Sequence, residues 1–497
     1  MKKYIIALLF ITNISNINAQ KEDFTWLFGT WSDLSPIDTT TDYGVISVDF
    51  SKTIPINKKE WANIRLDFNR SSICDKDGNL LLFYNGVNIY NKKFNAVKNS
   101  DSLNYVAPIN FLDAPQEYVP QGGLLLPYPD HPNQYFLLHI QVEWLVKGDS
   151  IWDIRGERLY YSIVDMDKEN GLGEVIERKK LLLTDSLEYG KLTACRHANG
   201  KDWWIIAQEN STPRYHKILL SSDGIKVTDT QEIGTDNASS LGQVVFSPNG
   251  KYYINFDADV NQKRYCSIFD FDRCTGKLSN AKNLIHPIKT FIPAGGIAIS
   301  PNSRFLYCIL YESIYQYDLW ATDLEKSRIK VAEYDDFLDD NNLPTRFFMG
   351  QLAPNGKIYI SSTSGTTYLT VINKPDLLGD SCQIEQHGYK LLTHNAFGLP
   401  NLPNFRLGKA AQPCTVGVED EVEKESIKIY PNPVTDILTI ETTETLDNQT
   451  ITILDMLGKT ILSQQLSFGK NNINMGDFPS GTYILKVGNT TRKVVKI

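Results

Sequence analysis

A unit of strand, tight turn and strand recurs at a fixed interval in this chain, and it constrains the fold more than any other sequence feature. The segments VVFSPNGKYYINF, IAISPNSRFLYCI and QLAPNGKIYISS align with one another. Gly250, Ser303 and Gly356 occupy the same place in the three turns, and 53 residues separate each from the next. An Asn-Gly or Asn-Ser pair supplies the positive φ angles of a two-residue hairpin turn, and the flanking β-branched and aromatic residues suit a pleated sheet. The repeat therefore predicts a series of antiparallel sheets.

Weaker copies of the hairpin precede these three, around Gly78, Asn133 and Gly200. Further strand pairs follow each copy, so one repeat of about 50 residues holds four short strands, which is the size of a propeller blade. Helical patterning is almost absent, which argues against a doubly wound sheet or an α/β barrel. The sequence predicts an all-β protein whose main domain is a β-propeller.

The six visible copies leave the number of blades open between seven and six. We expect seven, because strands near residues 30–50 could join the segment at residues 392–407 and close a seventh blade from the two ends of the domain. A ring of six blades is the alternative. Closure by the two ends would bury both faces of every sheet.

The N-terminal residues have the pattern of a secretory signal peptide at residues 1–19. Lys2 and Lys3 give a basic start, an apolar run follows over residues 4–14, and Ala19 is a small residue at the expected cleavage point. The run is about half of the roughly 20 apolar residues that span a bilayer, and no later stretch is long enough, so we expect no transmembrane segment. Gln20 follows the cleavage point in place of a cysteine, so an N-terminal lipid has no acceptor.

Charge and cysteine content exclude some partners and leave others open. Removal of Lys2 and Lys3 lowers the formal net charge from −8 to −10, and an acidic surface repels phosphate backbones, so nucleic acid is excluded as a partner. The seven cysteines are an odd number, so at least one is free or bonded to another molecule. Cys195 and Cys308 lie in apolar, strand-like runs and are expected to be buried thiols. The pairing of the others cannot be deduced from the sequence.

The chain changes character after residue 407. Residues 408–425 are polar, charged and without periodicity, which is typical of a linker. Residues 426–497 contain several runs in which apolar and polar residues alternate, as they do in half-buried strands, and about 70 such residues make a small β-sandwich. The predicted domains are therefore a signal peptide at 1–19, a propeller at 20–407, a linker at 408–425 and a C-terminal sandwich at 426–497.

The C-terminal segment closely resembles the type A C-terminal sorting domain of the type IX secretion system of Bacteroidetes. The residues that carry the resemblance form four motifs in the same order as in that family. They are Tyr430, Pro431, Asn432, Pro433, Asp455, Gly458, Lys459, Pro479, Ser480, Gly481, Thr482 and Tyr483. The resemblance implies passage into the periplasm, recognition by the outer-membrane translocon and its sortase, and release or attachment at the cell surface. We therefore expect a secreted protein that is extracellular or attached to the outer-membrane surface.

Residues 24–407 also resemble a known group, the propeller-like domain of secreted Bacteroidetes proteins, some of which are named for gliding motility. The strings YVPQGGLLLPYP, RHANGKDWW, FSPNGKYYINFD, FDFDRCTGKLS, GGIAISPNSRFLY and GLPNLPNF carry this resemblance by their order. It implies the propeller fold and brings no assigned catalytic residues.

Linear motifs for chemistry are missing from the sequence. The seven histidines have no metal-ligand spacing, and the chain has no HExxH, no cysteine pair at zinc spacing, no serine nucleophile elbow and no phosphate loop. We therefore predict no catalytic residue, no metal and no cofactor. Propellers can still assemble a site from distant blades, because residues that enter the innermost strands converge on one mouth of the central channel.

Residues at those entry positions form the candidate ligand rim. They are Tyr118, Gln121, Tyr189, Lys191, Gln243, Phe291, Arg346 and Phe347. Aromatic, amide and cationic groups suit a sugar or a peptide, whereas the alternative is that they plug the channel and satisfy strand ends. The sequence thus favours a surface module that binds a protein or glycan, as in adhesion. The alternative is an extracellular hydrolase or lyase acting on polysaccharide or peptide.

Overall fold

A computed structural model gives the fold of the chain. It describes residues 20–30, 43–60, 62, 64–104, 119–147, 150–235, 241–258, 263–287, 295–412, 414, 427–442, 450–456, 458–465, 467, 469–487 and 490–497. The predicted signal peptide lies outside these residues. The chain divides into two compact units, Met1–Cys414 and Thr415–Ile497.

Seven antiparallel sheets, formed by the described residues of the first unit, follow one another along the chain as the blades of a propeller. Blades 1 and 2 have three strands each: β1 (Thr25–Thr30), β2 (Gly44–Asp49), β3 (Ile56–Glu60), then β4 (Ser71–Cys74), β5 (Leu80–Tyr84), β6 (Ile89–Asn91). Blade 3 has one short strand and three long ones: β7 (Gly123–Pro127), then β8 (Gln134–Lys147), β9 (Ser150–Asp165), β10 (Glu174–Leu187). Blade 4 has four: β11 (Thr193–Arg196), β12 (Trp203–Gln208), β13 (Arg214–Ser221), β14 (Gly224–Glu232).

Blades 5 to 7 also have four strands each. Blade 5 consists of β15 (Gly242–Phe246), β16 (Tyr252–Ala258), β17 (Lys263–Phe271), β18 (Leu278–Pro287). Blade 6 consists of β19 (Gly295–Ile299), β20 (Phe305–Leu310), β21 (Ser313–Asp318), β22 (Ile329–Glu333). Blade 7 consists of β23 (Phe347–Leu352), β24 (Ile358–Ser362), β25 (Tyr368–Ile372), β26 (Ile384–Lys390). Short 3-10 turns are described at Glu169–Gly171, Glu325–Ser327 and Gly379–Cys382.

The repeated hairpins form the first two strands of blades 2 to 7, so the all-β propeller of seven blades is confirmed. First strands of neighbouring sheets contact one another, β15 with β19 and β19 with β23 for example, and so surround the central channel. The hairpin turns are longer than the predicted two-residue turns, since the N–H of Ser247 donates to the carbonyl of Tyr252 and four residues lie between them. Each turn contains a residue with positive φ. These residues are Gly78, Asn133, Gly200, Gly250, Ser303 and Gly356.

Closure of the ring differs from the prediction. Residues 392–407 add no strand to blade 1, which contains only β1, β2 and β3 among the described residues. Blade 7 instead packs directly on blade 1, where the ring of Tyr359 meets Trp26 and Phe50 edge-on. Pro400 and Pro403 lie in the segment, and proline has no N–H to donate to a β ladder, which is a physical reason for the absence of a strand there.

Residues 391–412 together with Cys414, which we call the strap, run across the channel. Asn401 donates from Nδ2 to the carbonyls of Gly123 in blade 3 and Leu192 in blade 4, at 2.9 Å each. Its own carbonyl accepts a hydrogen bond from Ser71 Oγ in blade 2. Asn401 therefore connects three blades to the strap, two through its side-chain amide and one through its backbone carbonyl.

The strap ends in a disulfide between Cys414 and Cys274, which lies in the β17–β18 turn of blade 5. Before the disulfide, the amide N–H of Ala410 donates to the carbonyl of Ala198, and Arg273 donates to the carbonyl of Gly408. The predicted linker at 408–425 thus begins with residues that are bound to the propeller. Cys195 and Cys308 are buried thiols.

The second unit is a small β-sandwich of two sheets. Its strands are β27 (Ile427–Tyr430), β28 (Ile437–Thr442), β29 (Thr450–Leu454), β30 (Thr460–Gln465), β31 (Lys470–Asn474), β32 (Gly481–Val487) and β33 (Thr490–Lys496). One sheet has the order β27-β28-β31 and the other β30-β29-β32-β33. Alternate residues such as Leu438, Ile440, Ile453 and Leu485 fill the core between them. The predicted C-terminal sandwich is confirmed.

Candidate functional site

A cavity of about 360 Å³ lies in the propeller between the strap and the inner hairpins of blades 5, 6 and 7. Equivalent prolines of the three strongest repeats, Pro248, Pro301 and Pro354, line one side of it. Leu402 and Leu407 of the strap line the other side. The volume lies in the range of small-molecule sites, roughly 300 to 1,000 Å³. The cavity is therefore a candidate ligand site.

An ion pair borders the cavity where the start of the propeller meets the strap. Arg406 donates from Nη2 to both carboxylate oxygens of Asp23, at 2.6 and 2.7 Å. Asp23 is almost entirely buried, and this desolvation raises the pKa of its carboxyl group although Arg406 opposes the shift. The adjacent Glu22 carboxyl also has a raised pKa, chiefly through burial. Two carboxyl groups in succession therefore lie close to Arg406.

Two of the predicted rim residues connect neighbouring inner strands through hydrogen bonds. Gln121 donates from Nε2 to the carbonyl of Val244 and accepts at Oε1 from the N–H of the same residue, at 2.9 and 2.8 Å. Gln243 donates to the carbonyl of Gly350 and accepts from the N–H of Ile297. Because inner strands diverge around a channel, these amides replace missing ladder hydrogen bonds. Gln121 also lines the cavity.

Lys191, another predicted rim residue, is a buried cation between two carboxylates. It forms ion pairs with Glu188 at 3.1 Å and with Asp257 of blade 5. Burial is the largest single influence on the pKa of Lys191 and would lower it, but the two carboxylates together raise it. The ammonium group thus holds blade 4 to blade 5, and it does not face solvent.

Among the other rim residues, those that the structure describes are buried or paired. Tyr189 and Phe347 are buried, and Phe347 packs in the hydrophobic cluster between blades 6 and 7. Arg346 is partly exposed and pairs with Glu312 at 3.1 Å. Tyr118 and Phe291 lie outside the described residues. The polar side chains of Gln121, Gln243, Lys191 and Arg346 bond to neighbouring blades. Contact of a ligand with these residues stays a prediction.

Most of the cavity lies toward the other end of the inner strands from the predicted rim, although Gln121 reaches it. β15, β19 and β23 run from the predicted entry positions toward the turns that contain the three prolines. The signal for this end was present in the sequence, because the Ser-Pro-Asn and Ala-Pro-Asn turns recur at one interval and must therefore converge. The turns predicted the number of blades, but the sequence did not predict that Arg406 and Leu402 of the strap would cover them.

Motif residues of the second unit shape its turns and strand ends. Asn432 donates from Nδ2 to the carbonyl of Lys493 and accepts from the N–H of Val495. Asp455 accepts at its carboxylate from the N–H of Lys459. Other motif residues act in the same way, as the Tyr483 hydroxyl donates to the carbonyl of Pro479. Their role in sorting stays a prediction.

In the part of the chain that the structure describes, no group of three or more His, Cys, Asp or Glu side chains could hold a metal ion. The same part contains no helix with the length and apolar character needed to cross a bilayer.

Comparison with known families identifies the C-terminal unit. Residues 428–497 match the family model described as the secretion system C-terminal sorting domain. The chain therefore carries a type IX sorting domain, which indicates interaction with that secretion machinery and export to the cell surface or the extracellular space. No curated protein matches the chain.

Solved structures with similar folds are only distantly related. A candidate 6-phosphogluconolactonase from Bacteroides uniformis is 14% identical with a TM-score of 0.45, and the match covers 76% of this chain and 99% of that one. A second such protein from Bacteroides fragilis is 12% identical with a TM-score of 0.44, covering 76% and 97%. PorZ, a surface component of the type IX secretion system of Porphyromonas gingivalis, is 13% identical with a TM-score of 0.30, covering 91% and 73%. At these scores the matches carry no functional argument.

Proposed function

We propose that this chain is an exported binding protein, in which the sorting domain directs export and the propeller binds its ligand in the cavity beside the strap. The sorting domain would engage the type IX translocon and its sortase through the four motifs. The cavity itself supports the binding role, because it combines an apolar wall with polar groups at its border. The ligand is a small molecule or the end of a peptide or glycan chain that enters this space.

A binding assay with a filled cavity tests the proposal. Gln351 lines the cavity and is partly exposed, so Gln351→Trp would fill the space without emptying a buried site. Gln386, on the outermost strand of the same blade, is a matched position away from the cavity, and Gln386→Trp is the control. The proposal expects the full chain to bind members of a glycan and peptide panel, and Gln351→Trp alone to lose that binding. Equal binding by both variants would place the ligand elsewhere.

An extracellular hydrolase or lyase is the second candidate function, and Asp23 is the observation that favours it. A carboxyl group with a raised pKa at a cavity is a typical general acid. Against this role, both oxygens of Asp23 accept from Arg406, so its proton would have no free path to a substrate. Hydrolysis of a polysaccharide or peptide that is abolished by Asp23→Asn, with the fold intact, would favour the enzyme.

A further inference from the structure

The cavity beside the strap has an apolar wall whose side chains are partly exposed. Blades 5 to 7 and the strap all contribute to it. The wall consists of Val245, Phe246, Pro248, Pro301, Leu352 and Pro354, together with Leu402 of the strap. The first six keep part of their surface exposed although they lie in a concave site. Since each Å² of apolar surface removed from water contributes about 25 cal/mol, this wall favours an apolar ligand.

Three of the six polar side chains that line the cavity are already committed to the protein. Gln121 uses both its amide nitrogen and its amide oxygen on the backbone of β15. Asn404 donates to one backbone carbonyl and accepts from one backbone N–H. Asp23 accepts from Arg406 at both carboxylate oxygens. A ligand that needs many hydrogen bonds would therefore find few partners here.

The other three polar side chains, Thr193, Gln351 and Arg406, offer only single hydrogen bonds. Gln351 makes long contacts with two backbone carbonyls, at 3.4 and 3.5 Å, and can turn toward a ligand. Arg406 uses Nη2 on Asp23. Both two-donor edges of a guanidinium include Nη2 or its equivalent pairing, so Nε and Nη1 of Arg406 point to different sides and cannot hold both oxygens of an anion.

The charges beside the cavity are balanced. Asp23 forms its ion pair with Arg406. Burial raises the pKa of the neighbouring Glu22 carboxyl group, and the charges of Arg196 and Arg406 oppose that rise. Two carboxyl groups thus lie with two guanidinium groups, which leaves no net charge to attract an ion. A charged ligand would lose hydration against the apolar wall without gaining a partner of opposite charge.

We infer that the cavity takes a small, uncharged, apolar molecule with at most one or two polar atoms, which packs against the proline-lined wall and meets the Gln351 amide. The inference rests on the proposed function and specifies its ligand class. The main chain of a peptide would bring an N–H and a carbonyl for every residue, and a sugar would bring hydroxyls on several sides of its ring. Both would face hydrocarbon where they need hydrogen bonds.

Isothermal titration of the full chain with matched probes tests the inference. 3-Phenylpropanamide, 3-phenylpropanoate and 3-phenylpropylamine share one hydrocarbon group and are neutral, anionic and cationic at pH 7. The neutral amide should bind at least about tenfold more tightly than either ion, because only the ions lose charge hydration. N-acetylglucosamine and the blocked peptide acetyl-Gly-Gly-Phe-Gly-Gly-amide are the uncharged polar comparisons, and both should bind more weakly than the amide.

Variants locate the binding and test its cause. Gln351→Trp fills the cavity and should abolish binding of the amide, whereas Gln386→Trp on the outermost strand should leave it unchanged. Pro301→Glu adds a carboxylate to the wall, so it should weaken binding of the amide and reverse the preference in favour of the amine. Pro301→Ala is the matched control without a charge and should keep the preference for the amide. Thermal unfolding checks that each variant is folded.

Several outcomes would overturn the inference. Equal or tighter binding of either ion by the unmodified chain contradicts the balance of charge. Tighter binding of the peptide or of N-acetylglucosamine, if Gln351→Trp blocks it, contradicts the apolar ligand class but supports a binding cavity. Binding of the amide that survives Gln351→Trp places it elsewhere. Failure of all probes contradicts this ligand class, and the glycan and peptide panel then decides on the proposed function separately.

Discussion

Arg406 and Asp23 are 383 residues apart in sequence, and their ion pair, with N–O distances of 2.6 and 2.7 Å, joins the two ends of the propeller. Removal of one partner from a buried pair leaves an uncompensated charge. We therefore expect Arg406→Gln to lower the free energy of unfolding by about 2 kcal/mol, less than for a fully buried pair because Arg406 is partly exposed. Addition of Asp23→Asn should restore part of this loss in urea unfolding. A double variant that is less stable than the single one would contradict the pairing.

The hairpin turns provide a matched pair of glycines. Gly250 and Gly356 both have positive φ, 69° and 79°. A β-carbon on Gly250 would lie 2.6 Å from Arg273 Cδ and 2.7 Å from Leu407 Cδ2, whereas one on Gly356 meets nothing within 4 Å. Gly356→Val should therefore cost about 1 to 2 kcal/mol through backbone strain alone, and Gly250→Val about 3 kcal/mol or more through added overpacking. Thermal unfolding of the two variants measures the difference, and equal losses would mean that Leu407 does not press on the turn.

The disulfide between Cys274 and Cys414 closes a loop of 140 residues and holds the end of the strap. A loop of that size should stabilise the native state by about 5 kcal/mol, because the bond restricts the unfolded chain. Cys414→Ser should remove this contribution and increase hydrogen exchange at the N–H of Ala410. A reducing agent should destabilise the unmodified chain to the same extent and leave the variant unaffected. Unchanged stability on reduction would show that the bond does not form.

His139 should make stability depend on pH. Burial lowers the pKa of its imidazole to about 3, with Lys179 and Arg178 adding to the shift. The imidazole of the unfolded chain takes up a proton near its ordinary pKa of 6.5 and the folded state does not, so stability is highest above pH 6.5 and falls as the pH decreases. We expect this group to cost about 3 kcal/mol between pH 6.5 and pH 4. In urea unfolding, His139→Phe should have a flatter profile than the unmodified chain, and parallel profiles would contradict the assignment.

The blades could be predicted from the sequence because the hairpin is a local structure. The conformation of Gly250, Ser303 and Gly356 depends on a few turn residues and their flanking strands, and such signals repeat visibly. The strap could not be predicted in the same way, because its sequence does not repeat elsewhere in the chain. Its position depends on contacts such as that of Asn401 with blades 3 and 4, and these involve residues more than 200 positions away.

The candidate site was only partly predictable for the same reason. Entry positions such as Gln121 and Lys191 could be placed near the channel from the repeat alone, since equivalent strands surround it. The sequence does not show that Lys191 meets Asp257, or that Gln243 reaches Gly350, and these partners turn a predicted rim into internal ties. Asp23 and Arg406 belong to no recognisable sequence motif, and they come together only in the folded propeller.

Deletion of residues 426–497 tests the central claim, which is that the C-terminal unit directs export of an independent propeller. The two units have separate hydrophobic cores, so the shortened propeller should fold and keep its disulfide. A full-length chain in the same host is the control, and a periplasmic reporter fused to residues 415–497 tests whether this segment is sufficient. Cell fractionation should find the shortened chain in the periplasm and the full-length chain at the surface or in the medium. A shortened chain that reaches the surface or the medium normally would contradict the account.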